Sequence, residues 1–321
     1  MPCYRMMKNV EIVAVCDTSE KEARAFSRRN NIPSMYTEIN DLFEKENLDF
    51  VDICTTPSTH YSICSNAIDH GLNVLVEKPV ALSLEETLVL RDKSESRKVK
   101  VCPIHNYRFK ENVLKATQMC KEGRVGKILK IMSIVHSSGP FPDWFWNEET
   151  TGGFLYESAI HFIDLQLMLC GDYNKVICLH KDFSEELKIT TGISALVEYK
   201  SGTIGIIDVN AFSSSIYTHL DIFGTASNIH LKFFPEYFST SLGPFTPYAE
   251  FKSENKRFFG YARAALFGLK KYNRDYHLRL LLEFVKAIES GHDVPVTINS
   301  IIPTMRLLED LKKKDSVCMS T

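Results

Sequence analysis

The stretch Asn73-Val74-Leu75-Val76-Glu77-Lys78-Pro79-Val80 decides how the rest of the chain is read. It follows Gly71 as a short apolar run, the pattern of a buried strand. It then stops in a carboxylate, an amine and a proline. Lysine and glutamate rarely lie buried without partners, and open α/β sheets bind ligands at the carboxyl ends of their strands. Two readings are open: a site at the strand end, or a salt-bridged turn closed by Pro79.

Upstream and downstream, strands alternate with helices. Val10 to Cys16 is a β-branched run ending in Asp17, and Glu20 to Asn30 carries helix formers with Ala23 and Phe26 on an apolar stripe. A second strand, Phe50 to Cys54, ends at Thr55-Thr56-Pro57. The helix from about Ser58 to His70 is stopped by Gly71, which suits the left-handed position after a helix. Ser83-Leu84-Glu85-Glu86 has capping-box spacing and opens a helix through about Ser96. Val99 to Cys102 is another strand. This alternation predicts a parallel sheet of βαβ units.

At 321 residues the chain is long for one core, which predicts two domains, 1–104 and 105–321. Its formal charge of −2, with both signs interspersed, argues against nucleic-acid or membrane-surface partners. No apolar run reaches the length of a membrane span, and no signal peptide is visible at the start. The nine cysteines are scattered without a Cys-x-x-Cys pair. That pattern favours a reducing cytoplasm over a disulfide framework or a zinc site.

From His105 the alternation stops. Lys110 to Glu122 reads as a helix with Gly123 beyond its end. Strand-like segments follow at Ile128 to His136, Val176 to Leu179, Gly192 to Tyr199, Thr203 to Asn210, Leu220 to Phe223 and Ile229 to Phe233. Lys200-Ser201-Gly202 reads as a hairpin turn. The pattern predicts an α+β second domain with a large, mostly antiparallel sheet. Glu236 to Lys271 is aromatic-rich without clear periodicity, either a functional loop or an oligomer contact. Tyr276 to Ser290 and Ser300 to Lys313 are closing helices, the second expected to pack back on the first domain.

The densest chemistry here is Gly152-Gly153-Phe154-Leu155-Tyr156-Glu157-Ser158-Ala159-Ile160-His161-Phe162-Ile163-Asp164. On a helix, Glu157, His161 and Asp164 project from nearly one face. A histidine beside carboxylates is a natural general base with an orienting partner. A half-buried ion pair holding the helix is the plainer alternative. A metal site would need further ligands, for which His105 and His136 are candidates without zincin-type spacing.

Asp17 has two readings as well. An acid ending the second strand of a dinucleotide-binding unit accepts hydrogen bonds from the adenosine ribose, and an aspartate also caps helices. Thr18 and Ser19 follow it rather than an arginine, favouring NAD over NADP. The glycine-rich phosphate loop expected about 20 residues earlier is not found: Met1 to Asn9 contain no glycine.

Taken together these residues resemble the Gfo/Idh/MocA family of oxidoreductases, typified by glucose–fructose oxidoreductase and inositol 2-dehydrogenase. The matching pieces run in order: the strand ending in Asp17, Thr55-Thr56-Pro57-Ser58-Thr59-His60, Glu77-Lys78-Pro79, Asn106-Tyr107-Arg108-Phe109, the segment Gly152 to Asp164, and Val294-Pro295-Val296. The resemblance implies an N-terminal Rossmann domain, an α/β fold incomplete at its N-terminus, and a C-terminal domain with a large antiparallel sheet. It implies hydride transfer between NAD or NADP and a secondary alcohol or ketone of a sugar, cyclitol or sugar nucleotide. Asp17, Thr55, Thr56, Pro57, His60, Glu77, Lys78 and Pro79 would then hold the cofactor. Lys78 would also meet the substrate hydroxyl, His161 would accept its proton, and Glu157 would stand where the family usually has aspartate. Tyr107, Arg108, Trp144 and Trp146 are expected to line the substrate pocket, with domain-interface packing as their alternative. A homo-oligomer, dimer or tetramer, is implied too.

Three departures from the family pattern stand out. Glu157 is one methylene longer than aspartate, Ala159 replaces a frequent glycine, and the first strand with its Gly-x-Gly-x-x-Gly loop is missing. The expectation is that the true start lies upstream of Met1, because a chain lacking that element loses a central strand and its phosphate-binding helix N-terminus. Two other classes compete: a non-catalytic sugar-binding or oligomer-forming relative without cofactor, and a metal-dependent lyase or isomerase using Glu157, His161 and His105.

Overall fold

The Asn73 run is the middle strand of a parallel sheet. In the computed structural model, which describes residues 1–137, 139, 141–181, 190–242, 272–313 and 317–319, the first half of the chain forms β1 (Ala14–Cys16), α1 (Glu20–Asn30), β2 (Ser34–Tyr36), α2 (Ile39–Lys45), β3 (Phe50–Ile53), α3 (Pro57–Asp69), β4 (Asn73–Val76), α4 (Leu84–Arg97) and β5 (Val101–Pro103). β4 lies between β3 and β5, both parallel to it. Val74, Leu75 and Val76 are fully buried, as expected of a strand covered on both faces. Cys64, Ala67 and Ile68 of α3 and Leu90 of α4 are buried with them.

β1 and β2 form a separate two-stranded parallel sheet. Among the described residues β1 pairs only with β2, and β3 only with β4. The parallel sheet is therefore in two pieces. Strands β1 and β2 are half-buried throughout, unlike the fully covered β4. The short β2 and α2 were not expected from the sequence. Their apolar residues are too few to stand out by periodicity, yet Leu42 and Phe43 are buried.

The second half begins with α5 (Glu111–Lys121), followed by β6 (Ile128–His136), α6 (Glu148–Thr151), α7 (Ile160–Cys170), β7 (Tyr173–Lys181), β8 (Gly192–Tyr199), β9 (Ile204–Asn210), β10 (Tyr217–Gly224), β11 (Ser227–Phe233) and β12 (Glu236–Leu242). Helices α8 (Tyr272–Ser290) and α9 (Ile298–Lys312) and strand β13 (Val317–Met319) complete it. Eight strands form one sheet in the order β12-β11-β10-β6-β9-β8-β7-β13. Only β6 and β9 run parallel; every other neighbour is antiparallel. Alternate residues are buried along β8, β9 and β11, the period of a sheet with one covered face.

Helix α7 lies on that covered face. Gln166 donates to Ser133 Oγ at 2.7 Å and to the Ile206 carbonyl at 2.9 Å, and accepts from Tyr199 Oη at 2.8 Å. Gly205 makes this approach possible, since a Cβ there would stand 2.6 Å from Tyr199 Cε2 and 2.8 Å from Gln166 Oε1.

The chain divides into two compact units. The first comprises Met1–Ala81, Glu85–Ile104 and His277–Asn299, and the second Leu82–Leu84, His105–Tyr276 and Ser300–Thr321. From His277 onward helix α8 belongs to the first unit. The reason is its apolar stripe: Leu280 and Phe284 are fully buried, and Phe284 meets Phe50 of β3 edge-on at 5.1 Å. Helix α9 stays with the second unit, where Asp310 accepts from Tyr173 Oη at 2.6 Å. The aromatic-rich stretch from Glu236 yields β12 at its start; residues 243–271 lie outside the described residues.

Candidate functional site

Within the first unit, the parallel register sets Ile53 beside Val76 and Val76 beside Pro103. Thr55-Thr56-Pro57 and Glu77-Lys78-Pro79 therefore leave adjacent strands at the same edge. The Glu77 amide still donates to the Ile53 carbonyl at 2.9 Å, so the ladder runs one residue past β4. Glu77 and Lys78 are half-buried, whereas Pro79 and Val80 are buried. Thr56 is the N-cap of α3 and Pro57 its first residue, the position where proline costs no hydrogen bond.

His60, fully buried on α3, joins the two turns. One ring nitrogen lies 2.7 Å from the Pro79 carbonyl oxygen and the other 3.0 Å from that of Thr55. A neutral ring donates through one nitrogen and an imidazolium through both. Through these two contacts His60 acts as a staple between the turns.

Asp17 follows β1 and is exposed. One carboxylate oxygen accepts the Ser19 amide at 2.8 Å, and Ser19 is the N-cap of α1. Asp17 thus forms the turn before the helix, and the cap itself is Ser19, whose Oγ accepts the Glu22 amide at 3.4 Å. A carboxylate offers about four lone-pair sites, so the Ser19 amide does not exhaust Asp17.

In the second unit the site is built on the entry to α7. Gly152 has φ +80°, and a Cβ there would lie 2.6 Å from Tyr156 Cγ. After it, Leu155–Ala159 winds as a π-helical turn before α7 begins. Such turns are rare and occur often at functional sites. Glu157 lies in the π turn, and His161 and Asp164 in the first turns of α7.

The 3₁₀ turn Asn106–Phe109 meets these residues in sequence. Tyr107 stacks on His161, with centroids 4.0 Å apart and planes 9° from parallel. Arg108 grips Asp164 with two parallel bonds, Nε to Oδ2 at 2.7 Å and Nη2 to Oδ1 at 2.5 Å. His105 Nδ1 lies 3.3 Å from Asp164 Oδ2, and Thr304 donates to Oδ1 at 3.2 Å. Burial alone would raise the Asp164 carboxyl, but charge interactions with His105 and Arg108 and the Arg108 bonds overcome it, holding the group well below the usual carboxylate range.

The Arg108 guanidinium is engaged by Asp164 and by Ser300, whose Oγ is 3.2 Å away. Trp144 and Trp146 belong to an aromatic cluster. Trp146 stacks on Phe212 at 5.5 Å and meets Phe141 and Phe145 edge-on, while Trp144 is exposed. Lys110 was not singled out from the sequence. It is 2% exposed, with Nζ 3.7 Å from a Glu236 carboxylate oxygen and 4.9 Å from the Tyr107 centroid. The sequence signal for the Asp164 cluster was the equal spacing of His105–Arg108 and His161–Asp164, each three apart. His136 pairs instead with Asp208 at 2.8 Å. Among the described residues no three His, Cys, Asp or Glu side chains converge to hold a metal ion.

Residues 1–105 match the family described as "Oxidoreductase family, NAD-binding Rossmann fold", and residues 113–230 match the GFO/IDH/MocA C-terminal domain. Myo-inositol 2-dehydrogenase of Thermotoga maritima is 23% identical over 305 residues, covering 91% of this chain and 85% of that protein. Scyllo-inositol 2-dehydrogenase (NAD(+)) of Bacillus subtilis is 27% identical, covering 69% and 66% respectively. For an uncharacterised Synechocystis oxidoreductase the matched span is shorter, about half (47%) of that protein. The WlbA dehydrogenase of Bordetella pertussis, solved with NADH and UDP-GlcNAcA, has the same fold at a TM-score of 0.84 and 14% identity, covering 100% of this chain and 93% of that one.

Proposed function

The chain belongs to the GFO/IDH/MocA oxidoreductase family, and from that premise we propose that it transfers a hydride between a nicotinamide dinucleotide and a secondary alcohol or ketone of a sugar, cyclitol or sugar nucleotide. One observation carries the reading: the Thr55-Thr56-Pro57 and Glu77-Lys78-Pro79 turns leave neighbouring parallel strands side by side, stapled by His60. Open α/β sheets bind their ligands at such an edge. The names of the inositol dehydrogenases among the relatives support the substrate class.

The residues fit two parts of a dinucleotide. Asp17 offers an exposed carboxylate to a ribose, and Thr55, Thr56, Pro57, Glu77, Lys78 and Pro79 form the strand-end edge for the nicotinamide half. For the pyrophosphate, residues 1–70 supply no glycine. Asp17 without a following arginine supports NAD over NADP.

When bound, the dinucleotide supplies the hydride acceptor at nicotinamide C4. The Lys78 ammonium then polarises the substrate hydroxyl and lowers its pKa, and the His161 imidazole takes the proton. Glu157, one helical turn before His161, balances the imidazolium that results. Acid–base assistance of this kind contributes on the order of 10²–10⁴ in rate.

The second sheet supports a homo-oligomer, dimer or tetramer. Its register lines up Ile177, Leu196, Ile206 and Met132 across β7, β8, β9 and β6 on one face. Ile177 and Leu196 are 40% and 51% exposed, and a second copy of the chain would cover this row. Cys3, Cys16, Cys54, Cys64, Cys102, Cys120, Cys170 and Cys178 are free thiols, which supports a reducing compartment such as the cytoplasm.

A second reading, a relative that no longer binds cofactor, is favoured by the divided parallel sheet. Titration of the 321-residue chain with NADH, followed by calorimetry, separates the two. Saturable binding with reduction of NAD⁺ by a panel of cyclitols and aldoses is the expected result. Absence of binding by a folded chain overturns the dehydrogenase reading in favour of the second.

A further inference from the structure

Tyr107 is the hub of a packed aromatic group. One contact is the parallel stack on His161, and a second is Phe233 at 5.5 Å and 11°. Phe162 and Tyr276 meet its ring edge-on at 5.7 and 6.3 Å. Its phenol is pushed above its ordinary range, chiefly by burial and then by Tyr276 and Glu236. The ring is therefore a neutral surface at any working pH.

Lys110 fixes that ring from its own end of the 3₁₀ turn. Its ammonium lies 4.2 Å from the Tyr276 centroid, 4.9 Å from Tyr107 and 5.7 Å from Phe234. A buried ammonium is costly unless compensated. Three aromatic faces and the Glu236 carboxylate supply that compensation here. Burial lowers the Lys110 pKa, and Glu236 opposes the change.

We propose that Tyr107 is a positioning residue for His161: its ring, held by Lys110 and Phe233, fixes the imidazole plane and sets how readily the imidazole carries charge. The proposal rests on the reading of His161 as proton acceptor. An unrestrained imidazole turns about its side-chain bonds, and a general base needs its nitrogen aimed at the substrate proton. The Tyr107 face favours an imidazolium; the Lys110 ammonium, reached through the same ring, disfavours it. The other charged groups nearby are Glu157 and Asp164 on the His161 segment, His105 and Arg108 at the 3₁₀ turn, and Glu236 on β12. Arg108 and His105 are paired with Asp164, and Glu236 with Lys110. Tyr107 and Lys110 are thus the balance of opposing influences on the ring that can be changed without dissolving the Asp164 cluster.

The test compares Tyr107→Phe, Tyr107→Leu and Lys110→Met in the full chain. The His161 ring is titrated by NMR, assigned with His161→Gln, and the pH profile of kcat and KM is measured with myo-inositol and NAD⁺. Tyr107→Leu is expected to lower kcat roughly tenfold with little change in KM and to shift the His161 titration downward. Lys110→Met should shift it upward by about half a pH unit, and Tyr107→Phe, which keeps the ring, should move both readouts less than Tyr107→Leu does. A folded Tyr107→Leu with native His161 titration and native kcat overturns the proposal. So does Tyr107→Phe losing as much as Tyr107→Leu, because the hydroxyl and not the ring would then be responsible. If the native chain proves inactive, the proposed dehydrogenase activity fails, while the NMR arm still decides whether Tyr107 governs His161.

Discussion

At the scale of residues, ionisable side chains are placed by their partners. Asp164 is 1% exposed, yet it is held ionised by Arg108 and His105. Its carboxyl titrates lower in the folded chain than its unfolded value of about 3.9. It therefore contributes stability above that value and loses it as the pH falls through the folded one. Asp164→Asn leaves the half-buried Arg108 without its counter-charge and should cost on the order of 3 kcal/mol at neutral pH. Denaturant melts should show that difference shrinking below about pH 4; a difference constant with pH would mean that the ion pair is not its source. Lys78→Ala and His161→Ala should each lower turnover by about 10² or more with unchanged melting. Near-native turnover in either would reassign the roles given to them. His60 was legible as part of a motif, but its two carbonyl partners were not, because they come from turns 5 and 19 residues away.

Elements are where sequence patterns work best and where close approach escapes them. The apolar runs of β4, β6 and β8 are local patterns with clear ends at Gly71, Lys127 and Lys200. In contrast, β2 has only three residues, too short to establish a period. The π turn at Leu155–Ala159 reads from sequence as ordinary helix, since nothing local distinguishes five residues wound more widely. Its setting depends on Gly152, whose φ of +80° and missing Cβ admit Tyr156. Gly152→Ala should cost at least about 1–2 kcal/mol from the left-handed backbone alone, with displacement of Tyr156 in addition. Calorimetric melting measures the loss, and turnover should fall with it because Glu157 lies in the same turn. Unchanged melting would show that the turn adapts without strain. Leu75→Ala on β4, fully buried, should cost roughly 2–5 kcal/mol by the usual cavity penalty.

For the whole molecule, the exposed row on the second sheet predicts association. Leu196→Asp, which puts a charge in the middle of that row, should reduce the sedimentation coefficient while leaving thermal melting near native. An unchanged coefficient would remove this face as the contact between copies. The chain by itself determined the alternation that builds the parallel sheet, the alternating burial of the antiparallel sheet, and the strand-end lysine and helical histidine, because these are short-range patterns of hydrophobicity and spacing. Tertiary structure alone decided the rest. It engaged Arg108 with Asp164, stacked Tyr107 on His161, and buried Lys110 among aromatic rings. It also gave α8 from His277 onward to the first unit, and divided the parallel sheet into two. These outcomes depend on which distant groups pay each other's desolvation, and that pairing is fixed only once the chain has folded.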